Sequence, residues 1–291
     1  MAMDRDAEEI ARLIETHEAQ TWVACMEAAA SLEGNPFNVE IERNANTPLT
    51  AITAFNFGIF NRVVALGVET PAQTSDIEVL QEFYSSHSQS RYLVEVTPVS
   101  RPHNLKEILL SYGLNVTEDR VAKCWHSLVD IPEARKGIEV RELFVEDRAQ
   151  IGAVNIAAWE VPRFFRSWFG ATLGRDGFRH YGSFEGDTLV STVAMYVTGD
   201  IAWSGFGATH PKHQGRGYQT ARLVRLLQDA AAMGCRLLHN ETAAGTPESP
   251  NYSLHNIVKV GFTRIYDKEV FAPTVMKTPG VKQQAQTASR I

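Results

Sequence analysis

Apolar residues at Ile10, Leu13, Ile14 and Met26 recur at helical spacing through a stretch with few breakers, from about Asp6 to Leu32. Gly34-Asn35-Pro36 ends it. Apolar stretches follow at Leu49–Phe57 and Val63–Val68, then a helical pattern near Asp76–Ser86, a strand-like Tyr92–Val96 and a helix over Asn104–Ser111 that stops at Tyr112-Gly113. The polar segment from Ile131-Pro132 to Lys136-Gly137 carries both breakers and reads as a boundary. Beyond it the pattern predicts a strand at Ile138–Leu143 and helices near Arg148–Trp159 and Arg163–Leu173. Strands are expected at Phe178–Phe184, Leu189–Val197 and Ile201–Thr209, then a helix at Gln219–Met233, a strand at Arg236–Thr242 and a helix at Ser253–Val260. Phe262–Tyr266 and Lys268–Ala272 read as two closing strands.

Strands in a run with helices inserted between them predict an α/β chain with a mixed sheet. The expected organisation is one domain over 1–132, a second over 138–273 and a polar, mobile tail over 274–291. The halves echo each other. Val63–Val68, helix, Tyr92–Val96 and a helix ending at Gly113 mirror Ile201–Thr209, helix, Arg236–Thr242 and a helix ending at Gly261.

The chain has 291 residues, about two domains' worth, and its 44% apolar content suffices for a core in each. A formal net charge of −6 argues against nucleic acid as the partner and favours cationic partners such as amines. Cys25, Cys124 and Cys235 stand singly, without metal-ligand spacing, and an odd count suits a reducing cytoplasm. Asp4, Arg5, Asp6, Glu8 and Glu9 are unlike a secretory leader, and Leu189–Val197 is too short to span a bilayer, so no membrane partner is expected. His210 and His213 lack a third ligand in sequence, so no metal is expected.

The informative run is Thr209-His210-Pro211-Lys212-His213-Gln214-Gly215-Arg216-Gly217-Tyr218-Gln219-Thr220. It joins an apolar strand to a helix with Leu223, Leu226, Leu227 and Ala230 on one face; Arg222, Arg225 and Gln228 are expected elsewhere around it. Two glycines one residue apart let the backbone turn tightly and approach a ligand. The helix start adds unpaired N–H groups and partial positive charge, so the segment is built to hold phosphate or pyrophosphate, with Lys212 and Arg216 adding charge nearby. A Walker A loop is absent, and both Gly205-x-Gly207 and Gly215-x-Gly217 lack the third glycine of the dinucleotide fingerprint.

Gln214-Gly215-Arg216-Gly217-Tyr218-Gln219 resembles the pyrophosphate loop of the GNAT acetyltransferase superfamily, Gln/Arg-x-x-Gly-x-Gly/Ala. The sixth position departs, with Gln219 where a small residue is usual. Downstream, a strand and a helix ending in Gly261-Phe262 look like that family's order. Leu254, Ile257, Val258 and Gly261 share a face of that helix, and Ser249-Pro250 reads as its N-cap and first position. The likeness covers about Ile138 to Pro273; after Val68 no glycine loop follows, so the first half looks like a degenerate partner in a tandem GNAT protein.

The resemblance implies acetyl-CoA as cosubstrate, direct attack by an amine on its thioester, and a cofactor site at Gly207, Ala208, Thr209, Gln214, Gly215, Arg216, Gly217, Tyr218, Gln219, Thr220 and Asn256. The acceptor is then a small-molecule or peptide amine. Such an amine is mostly protonated at neutral pH, so a base is required. Glu241, His239 and Glu160 are the candidates, the first two being on one strand face. The family's thiolate acid is a tyrosine where this chain has Ile257; Asn256, Tyr252, Ser253 and His255 are the neighbours. Asn256 cannot donate as an acid but can orient water or sulfur. Trp159, Phe164, Phe165, Trp168 and Phe169 read as core, with an acceptor-pocket wall as the alternative. An acyl-CoA-binding module without turnover, or a transferase of another acyl group, fits the same motif.

Overall fold

The computed structural model describes residues 5–44, 47–53, 55, 56, 58–134 and 136–274. In chain order its elements are α1 (Arg5–Ala30), β1 (Val39–Asn44), β2 (Thr47–Ile52), β3 (Arg62–Val63), α2 (Thr74–Ser86), β4 (Leu93–Val96), α3 (Leu105–Ser111) and β5 (Leu114–His126). There follow β6 (Arg141–Leu143), α4 (Arg148–Trp159), a 3₁₀ segment (Arg163–Gly170), β7 (Phe178–Glu185), β8 (Thr188–Thr198) and β9 (Ile201–Thr209). The last elements are α5 (Tyr218–Ala232), β10 (Leu237–Ala243), α6 (Tyr252–Lys259) and β11 (Thr263–Pro273).

The chain forms two compact units. One holds the described residues through Val121 together with those from Tyr266 to 274; the other holds Ala122–Ile265. Within the first, the strands run β1-β2-β3-β4-β11. Only the β3/β4 pair among these is parallel. Leu80, Tyr84, Val94, Leu109 and Phe271 belong to its apolar core.

The second unit repeats the plan. Its strands run β10-β9-β8-β7-β6, antiparallel except for β9/β10. Alternation along the strands sends Ala202 and Leu238 into a core with Leu223, Leu226 and Leu227 of α5 and Leu254 and Ile257 of α6. Each fully buried leucine there contributes roughly 1.5–3 kcal/mol. The opposite face is covered by α4, which packs on β8 and β9, and by the 3₁₀ segment beside it. The strand–helix–strand–helix echo of the two halves is therefore structural: β3-α2-β4-α3 and β9-α5-β10-α6 each enclose a parallel strand pair.

Several local expectations change. The apolar Val63–Val68 yields only a two-residue strand, because Ala65 and Gly67 turn the chain at φ 60° and 74°. The helix expected over 163–173 is a 3₁₀ segment ending at Gly170. The two closing strands are one, β11. The start of α6 lies two residues later than the Ser-Pro pattern implies: Asn251 is the N-cap, its Oδ1 accepting from Leu254 N–H at 3.0 Å. Val258 is exposed rather than on the buried face. The tail from residue 275 lies outside the described residues.

Candidate functional site

The β9/β10 pairing is parallel and short. Ile201, Ala202, Trp203 and Ser204 face Leu237, Leu238, His239 and Asn240, and there the register ends. Gly205–Thr209 and Glu241–Ala243 continue as strands without pairing to each other. The two strands therefore part, leaving backbone groups along a wedge. At the same level β9 bulges: Thr192 pairs with Ala208 and Ala194 with Gly205, so Phe206 and Gly207 together oppose one residue of β8. Phe206 takes φ 53°, a costly conformation for an aromatic residue.

The glycine loop stands at the end of β9. Pro211–His213 forms a short turn, and Gly215 and Gly217 adopt φ 75° and 92°. A Cβ at Gly215 would meet nothing within 4 Å, so backbone conformation rather than space requires glycine there. Gly217 caps α5, whose first helical bond runs from Ala221 N–H to Gly217 C=O at 3.1 Å. The N–H groups of Tyr218, Gln219 and Thr220 are left at the helix mouth, beside a positive dipole end.

One carboxylate pins this loop. Glu185, at the end of β7, accepts from Tyr218 Oη at 2.6 Å, Arg216 Nη1 at 2.8 Å and His213 Nδ1 at 2.9 Å. Arg216 is thus engaged within the loop, while Lys212 is exposed. The Tyr218 hydroxyl first, then His213 and Arg216, hold the Glu185 carboxyl down to about 2. Its folded value is depressed, so its stabilising effect is complete above the ordinary range near 4.5 and is lost as pH falls toward 2. A carboxyl-carbon NMR titration should give a midpoint near 2 for Glu185, and Tyr218→Phe should raise it toward 4.5.

Gln219, the departure from the motif, turns its side chain to α6. Its Nε2 donates to Ser253 Oγ at 2.8 Å, and its Oε1 accepts from Asn256 Nδ2 at 3.0 Å. The structure thus brings Gln219, Ser253 and Asn256 together. Tyr252 is 77% exposed and His255 is exposed, whereas Ile257 is buried. On β10, Leu238 and Asn240 face α5 and α6, so His239 and Glu241 face the α4 side. Glu241 lies 3.6 Å from Lys123 Nζ, a fully buried amine on β5. Glu160 caps α4 in the left-handed region and is exposed.

Arg222, off the leucine face in the sequence pattern, is only 4% exposed. Its guanidinium donates to Ser191 Oγ, to Ala208 C=O and to Thr209 Oγ1 at 3.0 Å. It ties the end of β9, and thereby Ala208 and Thr209, to α5; burial pulls its pKa down to about 9. The clue in sequence was its spacing, four residues after Tyr218 and four before Leu226. Phe206, Lys123 and Glu185 gave no comparable signal.

On the α4 face, Trp203 lies across Gly205. A Cβ at Gly205 would stand 2.0 Å from Cζ2 of the indole. Gly205→Ala should therefore cost about 1–3 kcal/mol by overpacking, read by urea unfolding.

The first unit lacks this arrangement. At the equivalent turn Arg101 donates to the carbonyls of Val68 (3.1 Å) and Glu69 (2.6 Å), and Arg12 donates to Val68 C=O at 3.0 Å. Asp76 of α2 accepts from Gln73 N–H at 2.7 Å, so the mouth of that helix already holds a carboxylate.

No protein-family model matches the chain, and no curated protein matches it in sequence. Solved structures do match in fold. A GCN5-related N-acetyltransferase from Kribbella flavida superposes with TM-score 0.61 at 14% identity, over 87% of this chain and 96% of that one. A tandem GNAT protein from the clavulanic acid biosynthesis pathway gives 0.56 at 16% identity, over 93% and 95%. The chain has a tandem GNAT fold. A GCN5-related N-acetyltransferase from Sphaerobacter thermophilus gives 0.54 at 16% identity, over 68% of this chain and 66% of that one. At these identities the likeness to GNAT proteins is one of architecture, and the chemistry rests on the site residues. Among the described residues no cluster of metal-ligating side chains occurs, and no helix is long and apolar enough to cross a membrane.

Proposed function

We propose that the second unit is an acetyl-CoA-dependent N-acetyltransferase acting on the primary amine of a small molecule, amino acid derivative or peptide. The observation that carries this reading is the parting of β9 and β10 directly beside a glycine loop that opens a helix. That juxtaposition suits an extended carrier with a pyrophosphate at one end and a reactive carbonyl at the other. Asn240 supports it from within the wedge: 4% exposed, at the last paired position, its Oδ1 has no hydrogen-bond partner. Such a buried acceptor is costly unless a ligand donates to it, and the amide N–H groups of a pantetheine arm are suitable donors.

In this reading the N–H groups of Gly215–Thr220 hold the pyrophosphate. Arg222 fixes the strand end that carries Ala208 and Thr209. Backbone N–H groups around the Phe206–Gly207 bulge and Ala208 receive the developing oxyanion. The amine nitrogen attacks the thioester carbonyl carbon, the C–S bond breaks and CoA leaves as a thiolate that takes up a proton. Glu241, held by Lys123, is the base assigned to the amine proton. Asn256 orients water or sulfur at the position where Ile257 removes the family's acid.

Calorimetry with acetyl-CoA tests the cofactor half, and release of free thiol from acetyl-CoA in the presence of an amine panel tests transfer. Binding without thiol release from any amine would replace this reading by an acyl-CoA-binding module. No binding would end both.

A further inference from the structure

The α4 face of the wedge is built from aromatic groups that the proposed chemistry does not use. Trp203 and His239 are register partners and form its floor. Phe206 stands at the bulge, with ring centroids 5.5 Å from Trp203, 6.1 Å from Phe169 and 6.3 Å from Trp159. Phe165, Trp168 and Phe169 are buried core. Phe206 and Trp159 are only half-buried, and Phe206 is held in left-handed backbone to stay there. A core packing role explains neither the exposure nor the strain. Glu241 lies two residues beyond His239 on the same strand face, at the rim.

The floor also carries an unused donor. Trp203 is 6% exposed and its Nε1–H has no acceptor in the protein. The Cζ2–Cη2 edge of the indole crosses Gly205, with Cε2, the carbon bonded to that nitrogen, next nearest, where β9 turns into the wedge. The phosphate loop is at the mouth of α5, on the other face, so an acyl carrier enters from the α5 side and the nucleophile must come from the α4 side.

We infer that the acceptor, under the acyl-transfer reading on which this rests, is an arylalkylamine: a primary amine on a short linker to an aromatic ring that bears a hydroxyl. The ring fills the aromatic walls, the hydroxyl oxygen accepts from Trp203 Nε1–H, and the ammonium meets the Glu241 rim before it is deprotonated.

The test is calorimetric titration of tyramine, phenethylamine and putrescine into the full chain saturated with CoA, where no turnover occurs. Tyramine should bind roughly five- to tenfold more tightly than phenethylamine, the value of one hydrogen bond to a buried donor. Putrescine should bind at least tenfold more weakly than tyramine. Trp203→Phe keeps an aromatic side chain and removes the donor, and should equalise tyramine and phenethylamine. Should that variant fail to fold, Trp159→Leu, at a half-buried wall, should weaken both aromatic amines about fivefold.

Putrescine binding as well as tyramine, a tyramine advantage that survives Trp203→Phe, or aromatic amines indifferent to Trp159→Leu each overturn the inference. So does no amine binding by protein that binds acetyl-CoA, and in that case the cofactor reading stands. Loss of acetyl-CoA binding with tyramine still bound by the unliganded chain overturns the acyl-transfer reading instead.

Discussion

Gly217→Asp should bind acetyl-CoA roughly 100-fold more weakly than Gly217→Asn, the cost of an anion set against the ligand's phosphates. The pair is chosen because Gly217 sits at φ 92° as the N-cap of α5. Any side chain there is strained, so a loss on substitution alone would report backbone conformation. Asn and Asp have nearly the same shape, both tolerate left-handed backbone better than other residues, and both serve as N-caps. Strain and capping are therefore close to matched, and charge is what differs. Asp should keep or raise the stability of α5, since a carboxylate favours the helix mouth. Under the proposed function the same charge stands where the pyrophosphate would bind. Calorimetry on the two variants, with melting curves for each, measures the difference. Equal affinities would remove the loop from the binding site.

Why this loop could be read in sequence while its supports could not follows from the range of the interactions. Gly215-x-Gly217 and the amphipathic helix are local, and the structure keeps both as expected. Glu185 holds the loop from 31 residues away through Arg216, and Lys123 reaches Glu241 from another strand. Neither pairing leaves a periodic trace. Phe206 is singled out only by the β8/β9 register, which exists once both strands have paired. The burial of Arg222 could not be read in sequence, because a charged residue on a helix is ordinarily found in water. Here three neutral acceptors at the end of β9 take its place. Ser249 does not cap α6 because it is engaged in a turn, exchanging backbone hydrogen bonds with Thr246, and leaves the cap to Asn251. The tandem repeat was legible as an order of elements. What closes the first unit's loop, Arg101 on two carbonyls and Asp76 at the helix mouth, required coordinates.

Lys268→Met should destabilise the first unit by about 3–5 kcal/mol. Lys268 is fully buried on β11, with Nζ 2.7 Å from Glu18, 2.9 Å from Glu95 and 3.2 Å from Glu15. Glu15 also accepts from Tyr266 Oη at 2.6 Å, and Arg62 pairs with Glu95 while stacking on Trp22. Three carboxylates thus meet two cations in an interior where water cannot screen them. Methionine matches the volume of lysine, so packing is preserved and the loss is electrostatic. Without Lys268, Arg62 alone faces three carboxylates, each of which lost its hydration on folding. Replacing a carboxylate as well should recover part of the loss: Lys268→Met with Glu15→Leu should be more stable than Lys268→Met alone, although it carries two changes in the core. Guanidinium unfolding of the three proteins decides this, read on the transition of the first unit. A double variant no more stable than the single one would mean that the cluster is held by packing and that its charges are incidental.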